Sequence, residues 1–192
     1  MARRAFRSKP IDPPRLRRGL LPRHKSPHVH GFTLVEILIV VVILGILATV
    51  VIPQFTSASQ EARENTLKDE LRYLRTQIVV FKAQHQDVPA GYPSGNASAT
   101  PTAAAFVDQM TLHSDINCNT SAQSSPAYPY GPYLSQMPTN PVNGLNTITM
   151  VANNQSMPFA DGTTGWIYQA QTQQIIANLT GNDSSGTPFA NY

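Results

Sequence analysis

Cysteine and catalytic groups are scarce in this chain. One cysteine, Cys118, occurs among the 192 residues, which excludes an internal disulfide. We favour a buried thiol at this position over an intermolecular bridge or a free surface thiol. His85 and His113 are isolated in the sequence. The acids beyond residue 86 are too scattered to indicate a general acid/base pair: they are Asp87, Asp108, Asp115, Asp161 and Asp183. We therefore predict that the protein is not an enzyme.

Positive charge is scarce beyond residue 31. Residues 1–31 hold nine of the fourteen Lys and Arg, with a single acid, Asp12. Without this segment the formal charge changes from +3 to −5, because five basic and ten acidic residues remain. Such a basic flank is expected to stay in the cytoplasm and to direct the C-terminal side outward. Nucleic-acid binding by the segment is the competing interpretation, which we disfavour.

The basic segment carries two further patterns. The Arg17-Arg18 pair suggests twin-arginine export, but PRHKSPHVH separates it from the next apolar region. A histidine cluster that could bind a metal follows: His24, His28 and His30. Five prolines argue against regular structure in this segment: Pro10, Pro13, Pro14, Pro22 and Pro27. We therefore expect a disordered tail.

A long apolar run follows in residues 31–55, GFTLVEILIVVVILGILATVVIPQF. Its 21 residues from Phe32 to Ile52 would span about 31 Å as a helix, close to the thickness of a bilayer's hydrocarbon core. A secretory signal has a shorter apolar region, and cleavage after Ala48 fits one only loosely. A plain single-pass anchor fits the length but not Glu36, which costs about 2.5 to 3.5 kcal/mol at the membrane core unless it is paired.

These residues resemble the N-terminal signature of the type IV pilin and pseudopilin family. Gly31, Phe32, Glu36 and Pro53 match the glycine, phenylalanine, glutamate and downstream proline of that signature. The resemblance implies that a prepilin peptidase cuts between Gly31 and Phe32 and methylates the new N-terminal Phe32. It also implies that Glu36 pairs with the Phe32 ammonium of a neighbouring subunit during assembly, while Pro53 kinks the helix.

Residues 1–31 would then be the removable leader, which is longer than the family's usual short one. No second Met occurs before Met110, although a non-AUG start near Val29 stays open. The partners that the resemblance implies are prepilin peptidase, identical and related pilin-like subunits, an assembly ATPase and a membrane platform. The expected location is the inner membrane, with a single pass, the head outside the cytoplasm, and assembly into a periplasmic or surface filament.

The helix is predicted to continue past the membrane run. An apolar stripe at helical period is formed by Leu67, Leu71, Leu74, Ile78 and Phe81. The opposite face is predicted to be polar, with Arg63, Glu64, Lys68, Asp69, Arg72, Arg75 and Lys82. We expect one helix from about Phe32 to His85, with an assembly half in residues 32–53 and an amphipathic half in residues 54–86. Packing on a head is favoured over a free coiled coil.

Residues 87–192 are predicted to form the globular head. A helix is expected to start at Thr100-Pro101, with Pro at its first position. Residues 117–125 are predicted to be a loop. In the Pro-rich residues 128–144 we expect the tyrosines to cap a small core, and a ligand-binding aromatic patch is the alternative. Strands are predicted at residues 147–152 and in GWIYQA and QQIIANL, which form a hairpin around Gln171-Thr172. The predicted fold class is α+β, with a long N-terminal helix packed on a small antiparallel sheet.

Two segments in the middle of the chain indicate which branch of the family it resembles. FVDQMTLHSD and YGPYLSQMPTNPVNG resemble the middle region of major pseudopilins of type II secretion systems. We therefore predict a structural filament subunit that drives secretion and binds no nucleic acid. The alternative is a surface type IV pilus subunit for adhesion, twitching or DNA uptake. Major pseudopilins carry calcium in a C-terminal loop, but Asp161, Asn182 and Asp183 are the only plausible donors here. No cofactor or metal ligand is assigned.

Overall fold

The computed structural model of the protein describes residues 31–192. The predictions for the leader, its Arg17-Arg18 pair and its histidine cluster (His24, His28, His30) lie outside the described residues. Contacts divide the chain into one unit that ends at Leu44 and a second unit, Gly45–Tyr192. The helices are α1 (Leu34–Gln84) and α2 (Ala103–Thr111). The strands are β1 (His113–Ser114), β2 (Thr120–Ser121), β3 (Ile148–Val151), β4 (Trp166–Gln169) and β5 (Gln174–Ala177). Short 3₁₀ turns occur at Pro93–Gly95 and Phe189–Asn191.

Helix α1 buries the stripe that its sequence predicts. All five stripe residues, Leu67, Leu71, Leu74, Ile78 and Phe81, are at most 1% exposed. The stripe continues one turn further to His85, whose ring stacks on Phe81 with the ring centroids 3.9 Å apart. The His85 ring nitrogens lie 2.7 Å from the Phe81 carbonyl and 3.0 Å from the Ser114 hydroxyl. Desolvation lowers the pKa of His85, so this buried ring favours the neutral form.

The main sheet confirms the predicted hairpin and the α+β class. Strands β4 and β5 pair antiparallel around the turn at residues 170–173. Strand β3, however, pairs with β4 in parallel, so the three-stranded sheet is mixed and not antiparallel throughout. Parallel neighbours need a connection that carries the chain back to the end where the first strand began. Residues 152–165, here called the crossover loop, make that return without a helix.

The two faces of this sheet bury different clusters. Trp166, Tyr168, Ile175 and Ala177 face the α1 stripe and share one core with it. Residues of the opposite parity face away from α1 and form a small second cluster: Val151, Ile167 and Ile176. Met157 and Ala160 of the crossover loop pack against that second cluster. The crossover loop therefore covers the sheet face that points away from α1.

Two details of the head differ from the sequence prediction. Helix α2 begins at Ala103 and not at Pro101, because Thr102 is its N-cap and its hydroxyl accepts a bond from the Ala105 amide at 3.1 Å. The segment predicted as a loop, residues 117–125, contains β2, which pairs antiparallel with β1. The predicted burial of Cys118 is confirmed, since its side chain is 2% exposed. The Pro-rich segment contributes Tyr133, Leu134 and Met137 to the core.

Candidate functional site

The start of α1 is closed by a reciprocal pair of side chains. Gly31–Thr33 precede the helix, and Glu36 lies in its first turn. The Glu36 amide donates to the Thr33 hydroxyl at 3.1 Å, and the Thr33 amide donates to the Glu36 carboxylate at 3.4 Å. This is a capping box, in which Thr and Glu three residues apart satisfy two backbone donors. The pattern is readable in the sequence as T-x-x-E, but the prediction from the membrane run did not include it.

The apolar run presents its side chains outward. Large hydrophobic residues from Phe32 to Phe55 are all exposed, from 42% at Val51 to 83% at Leu34. The run's mean hydropathy reaches 3.1 over 18 residues, and α1 is the one helix of the described residues that is long and apolar enough to cross a membrane. Exposed apolar surface of this extent marks a membrane or protein contact. The helix is consistent with a single-pass membrane anchor.

Pro53 lies inside α1, where proline removes one backbone donor. Hydroxyl groups on both sides of it bond to helix carbonyls: Thr49 to Ile46 at 2.7 Å and Thr56 to Ile52 at 3.2 Å. Ser57 also donates to the Pro53 carbonyl at 3.2 Å. Such bonds favour helix bending, and the kink at Pro53 stays a prediction.

Glu64 corrects the prediction of a wholly polar outer face on α1. Its side chain is buried, and its two carboxylate oxygens accept bonds from the Ser184 amide at 3.0 Å and the Ser184 hydroxyl at 2.6 Å. The Gln60 amide group donates to the same carboxylate at 2.9 Å. A buried carboxylate needs such donors because it has lost its water. The helical pattern could not identify Ser184, because it lies 120 residues away in the sequence.

The C-terminal segment, residues 181–192, is held along α1 by further charged groups. Lys68 lies 3.6 Å from the Asp183 carboxylate and 4.5 Å from the centre of the Tyr192 ring. The Tyr192 hydroxyl donates to Asp183 at 2.5 Å. Arg75 donates to the Ile175 carbonyl at 3.1 Å and to the Tyr192 carbonyl. Three residues that the helical pattern assigns to the polar face, Glu64, Lys68 and Arg75, therefore fasten this segment.

These contacts predict a stability that depends on pH. The Ser184 hydroxyl lowers the pKa of Glu64 from 4.5, and the Tyr192 hydroxyl lowers the pKa of Asp183 from 3.8. A carboxylate with a lowered pKa in the folded state stabilises the fold above its unfolded pKa and loses that effect as the pH falls through the folded one. The melting temperature of the full chain in detergent should therefore fall as the pH drops below about 4.5. The double variant Glu64→Gln with Asp183→Asn should show a shallower fall, whereas Glu61→Gln should keep the wild-type slope.

Two of the candidate calcium donors, Asp161 and Asp183, accept hydrogen bonds within the head. The Asp161 carboxylate accepts bonds from Asn178 at 2.7 Å and from the Thr163 hydroxyl at 2.8 Å. The Asp183 carboxylate is occupied by Lys68, Tyr192 and backbone amides. The two aspartates therefore belong to separate hydrogen-bond networks. Within residues 31–192, no group of three or more His, Cys, Asp or Glu is placed to hold a metal ion.

A long helix whose N-terminal half is apolar and exposed precedes an α+β head in this chain. A family model described as "Prokaryotic N-terminal methylation motif" matches residues 27–52. This range includes Gly31, Phe32 and Glu36, whose individual roles stay predictions. The comparison with solved structures found no match.

The similar curated proteins are of two kinds. Type II secretion system core protein G of Pseudomonas aeruginosa is 38% identical over 60 residues, covering 31% of this chain and 42% of that protein. The protein of the same name from Aeromonas hydrophila is 25% identical over 111 residues, 58% of this chain and 66% of that protein. Type IV narrow pilus major component PilA5 of Thermus thermophilus is 26% identical over 99 residues, 49% of this chain and 82% of that protein.

The resemblance to type IV pilins and pseudopilins, predicted from residues 31–55, is confirmed by these relatives and by the methylation motif. The aligned part of the chain spans less than half the length of the Pseudomonas protein. The relatives' names describe secretion-system and pilus components, and none of the three is named as an enzyme.

Proposed function

We propose that the mature chain, from Phe32 onward, is a structural subunit of a pilin-like filament and serves as a pseudopilin in type II protein secretion. The observation that carries this proposal is the exposed apolar half of α1, joined to a methylation motif and followed by a packed head. Such a helix is stable in lipid. When it leaves the bilayer, only sister helices can cover its apolar surface. Identical subunits that associate head to tail, without closing a ring, form a filament.

Processing prepares the helix for this assembly. A prepilin peptidase cuts between Gly31 and Phe32, removes the basic leader and methylates the Phe32 amine. The methylated amine still carries a proton and a positive charge. Glu36 of an entering subunit pairs with the Phe32 ammonium of its neighbour, which sets the register while both charges lose their water. An assembly ATPase and a membrane platform supply the work of extraction.

Before assembly, the subunit lies in the inner membrane, which α1 crosses once, and its head is outside the cytoplasm. The basic residues of the leader favour this orientation, because cytoplasmic flanks of membrane helices are rich in Lys and Arg. Membrane insertion and filament entry then use the same apolar surface in succession. The subunit thus joins a filament that begins in the periplasm.

A surface type IV pilus is the second candidate. The match to the narrow pilus component covers 82% of that protein, more than the 66% of the Aeromonas secretion protein. Against it, one cysteine leaves no disulfide-bracketed C-terminal loop of the kind that adhesive pilins carry. The match to the Aeromonas secretion protein also covers more of this chain, 58% against 49% for the narrow pilus component. We therefore favour the pseudopilin.

Deletion of the gene separates the two candidates. If the chain is a pseudopilin, we expect secreted proteins to accumulate in the periplasm of the deletion strain. We also expect that wild-type cells at native expression carry no long fibres containing this chain. The measurements are the exoprotein content of medium and periplasm, with fibre imaging by an antibody against the head. Long surface fibres together with normal secretion in the deletion strain would instead establish the pilus subunit.

A further inference from the structure

The crossover loop holds one aromatic side chain completely in solvent. Phe159 is 99% exposed, while the flanking residues Met157 and Ala160 are half-buried against the second cluster. Single exposed hydrophobic residues are common on protein surfaces. Here, however, Met157 and Ala160 pack against the second cluster, whereas the Phe159 ring makes no packing contact with the head.

Hydrogen bonds fix the loop on both sides of this ring. On one side, the Gln155 carbonyl accepts a bond from the Gln169 side chain. On the other side, the Asn178 side-chain oxygen accepts from the amides of Asp161 at 2.7 Å and Gly162 at 3.0 Å. Pro158 restricts the backbone immediately before Phe159. A ring presented from an ordered backbone loses little conformational freedom on binding, which is the property of an interface anchor.

A groove large enough for an aromatic ring is lined by α1, Val142 and the C-terminal segment. Its volume is about 640 Å³, and its apolar walls come from Phe55 and from Val142 and Phe189. The remaining lining residues are polar or charged: Thr56, Ser59, Gln60, Arg63, Glu64 and Asn182. Phe55 is itself 72% exposed, so the groove extends an apolar surface that nothing in the described residues covers.

The ring and the groove belong to different surfaces of the head. Phe159 lies in the loop that covers the sheet face away from α1, whereas α1 itself lines the groove. The ring and the groove are therefore two different patches, so their contact does not pair identical surfaces. A ring from one copy in the groove of the next makes a heterologous contact, which leaves a free ring and a free groove at the two ends.

Charge also matches across such a contact. Residues 87–192 contain five Asp and neither Lys nor Arg, so all positive side chains beyond the leader lie on α1. Asp161 lies two residues from Phe159 and is exposed. Arg63 and Glu64 both line the groove. The Glu64 carboxylate already accepts bonds from Ser184 and Gln60, whereas Arg63 takes part in no ion pair among residues 31–192. The ring would thus bring a carboxylate towards an arginine, and complementary charges favour one register over others.

From these observations we infer that Phe159 of one copy of this chain docks into the Phe55–Val142–Phe189 groove of the next copy. The contact deepens the proposed function, on which it rests, because it gives the heads a specific heterologous contact in addition to the helix bundle. A second copy is the occupant because ring, groove and opposite charges all belong to the same chain.

Cysteine cross-linking in filaments tests the contact. In cells that produce the full chain, the variant with Pro158→Cys and Ser59→Cys keeps the Phe159 ring and should form oxidised dimers and higher multimers, since a disulfide needs Cα atoms about 4.4 to 6.8 Å apart. The matched pair Pro158→Cys with Thr76→Cys places the second thiol on an exposed part of α1 outside the groove. It should give no multimers. Filaments that form without the Ser59–Pro158 cross-link would overturn the inference and leave the proposed function standing.

Substitution of the ring gives an independent measurement. Phe159→Ser should reduce the yield of sheared filaments about tenfold, as expected for the loss of an interface anchor, and Phe159→Leu should recover part of it. Ser156→Ala, another exposed position in the same loop, should have no effect. An unchanged yield for Phe159→Ser would contradict the docking contact. If the wild-type chain forms no filaments, the proposed function fails together with the inference.

Discussion

Replacing Glu36 by Ala or by Gln is expected to leave processing after Gly31 intact and to abolish filament assembly. Entry into a helix bundle removes water from the Phe32 ammonium, and the Glu36 carboxylate is the charge that compensates for this loss. Removing one partner of a buried ion pair costs about 3 to 5 kcal/mol, because the remaining charge is left uncompensated. The measurements are the mass of the processed chain and the yield of sheared filaments.

The capping box at the start of α1 makes the choice of variants important. Glu36→Ala removes both the charge and the bond to the Thr33 amide. Glu36→Gln retains a side chain that can close the capping box but carries no charge. Thr33→Ala removes the hydroxyl that accepts the Glu36 amide, at a cost of about 1 kcal/mol, and keeps the charge. Assembly by Thr33→Ala but not by Glu36→Gln is the predicted pattern. Normal filaments from Glu36→Gln would contradict the charge pairing and would mean that Glu36 acts only as a capping residue of α1.

Trp166→Ala is expected to destabilise the head by about 3 to 5 kcal/mol, the range for deletion of a large aromatic from a core. The ring is 0% exposed and faces α1, and its indole nitrogen donates to the Pro138 carbonyl at 2.9 Å. The substitution therefore leaves both a cavity and a buried carbonyl without its donor. Chemical unfolding of the full chain in detergent, followed by tyrosine fluorescence and circular dichroism, measures the change.

A second aromatic in the same chain provides the control for this prediction. Phe159→Ala removes a ring that is 99% exposed, so the free energy of unfolding should change by no more than about 0.5 kcal/mol. Equal losses for both variants would mean that Phe159 packs against the head in solution. A small loss for Trp166→Ala would mean that the sheet does not pack on α1 through this residue.

Periodicity made the long helix and the hairpin predictable. The stripe from Leu67 to Phe81 repeats at helical spacing, and burial of one face is enough to specify it. The environment of the polar face was harder to predict. The helical pattern marks a side chain as polar, but it does not show whether that side chain meets solvent or a hydroxyl group from a distant part of the chain. Glu64 is polar in the pattern and buried in the fold through Ser184. The parallel pairing of β3 with β4 was likewise hidden, since strand signals carry no information on direction.

One part of the candidate site could be predicted from the sequence, and another part depends on the fold. The segment with Gly31, Phe32 and Glu36 is local, so its motif is visible in the sequence without any fold. The fastening of the C-terminal segment joins Lys68 to Asp183 across 115 positions and depends on how the head folds back on α1. Phe159 has no sequence signal at all. Its exposure follows from the burial of its neighbours on a sheet face that exists only once β3, β4 and β5 have paired.

Mass spectrometry of the protein from native membranes tests the central claim most directly. The intact mass and the N-terminal peptide should both correspond to a chain that begins at N-methylated Phe32. This result would establish the free ammonium on which the pairing with Glu36 depends. A chain that keeps residues 1–31, or that is cut after Ala48, would contradict the account, because no charged amine would then lie at the start of the apolar helix.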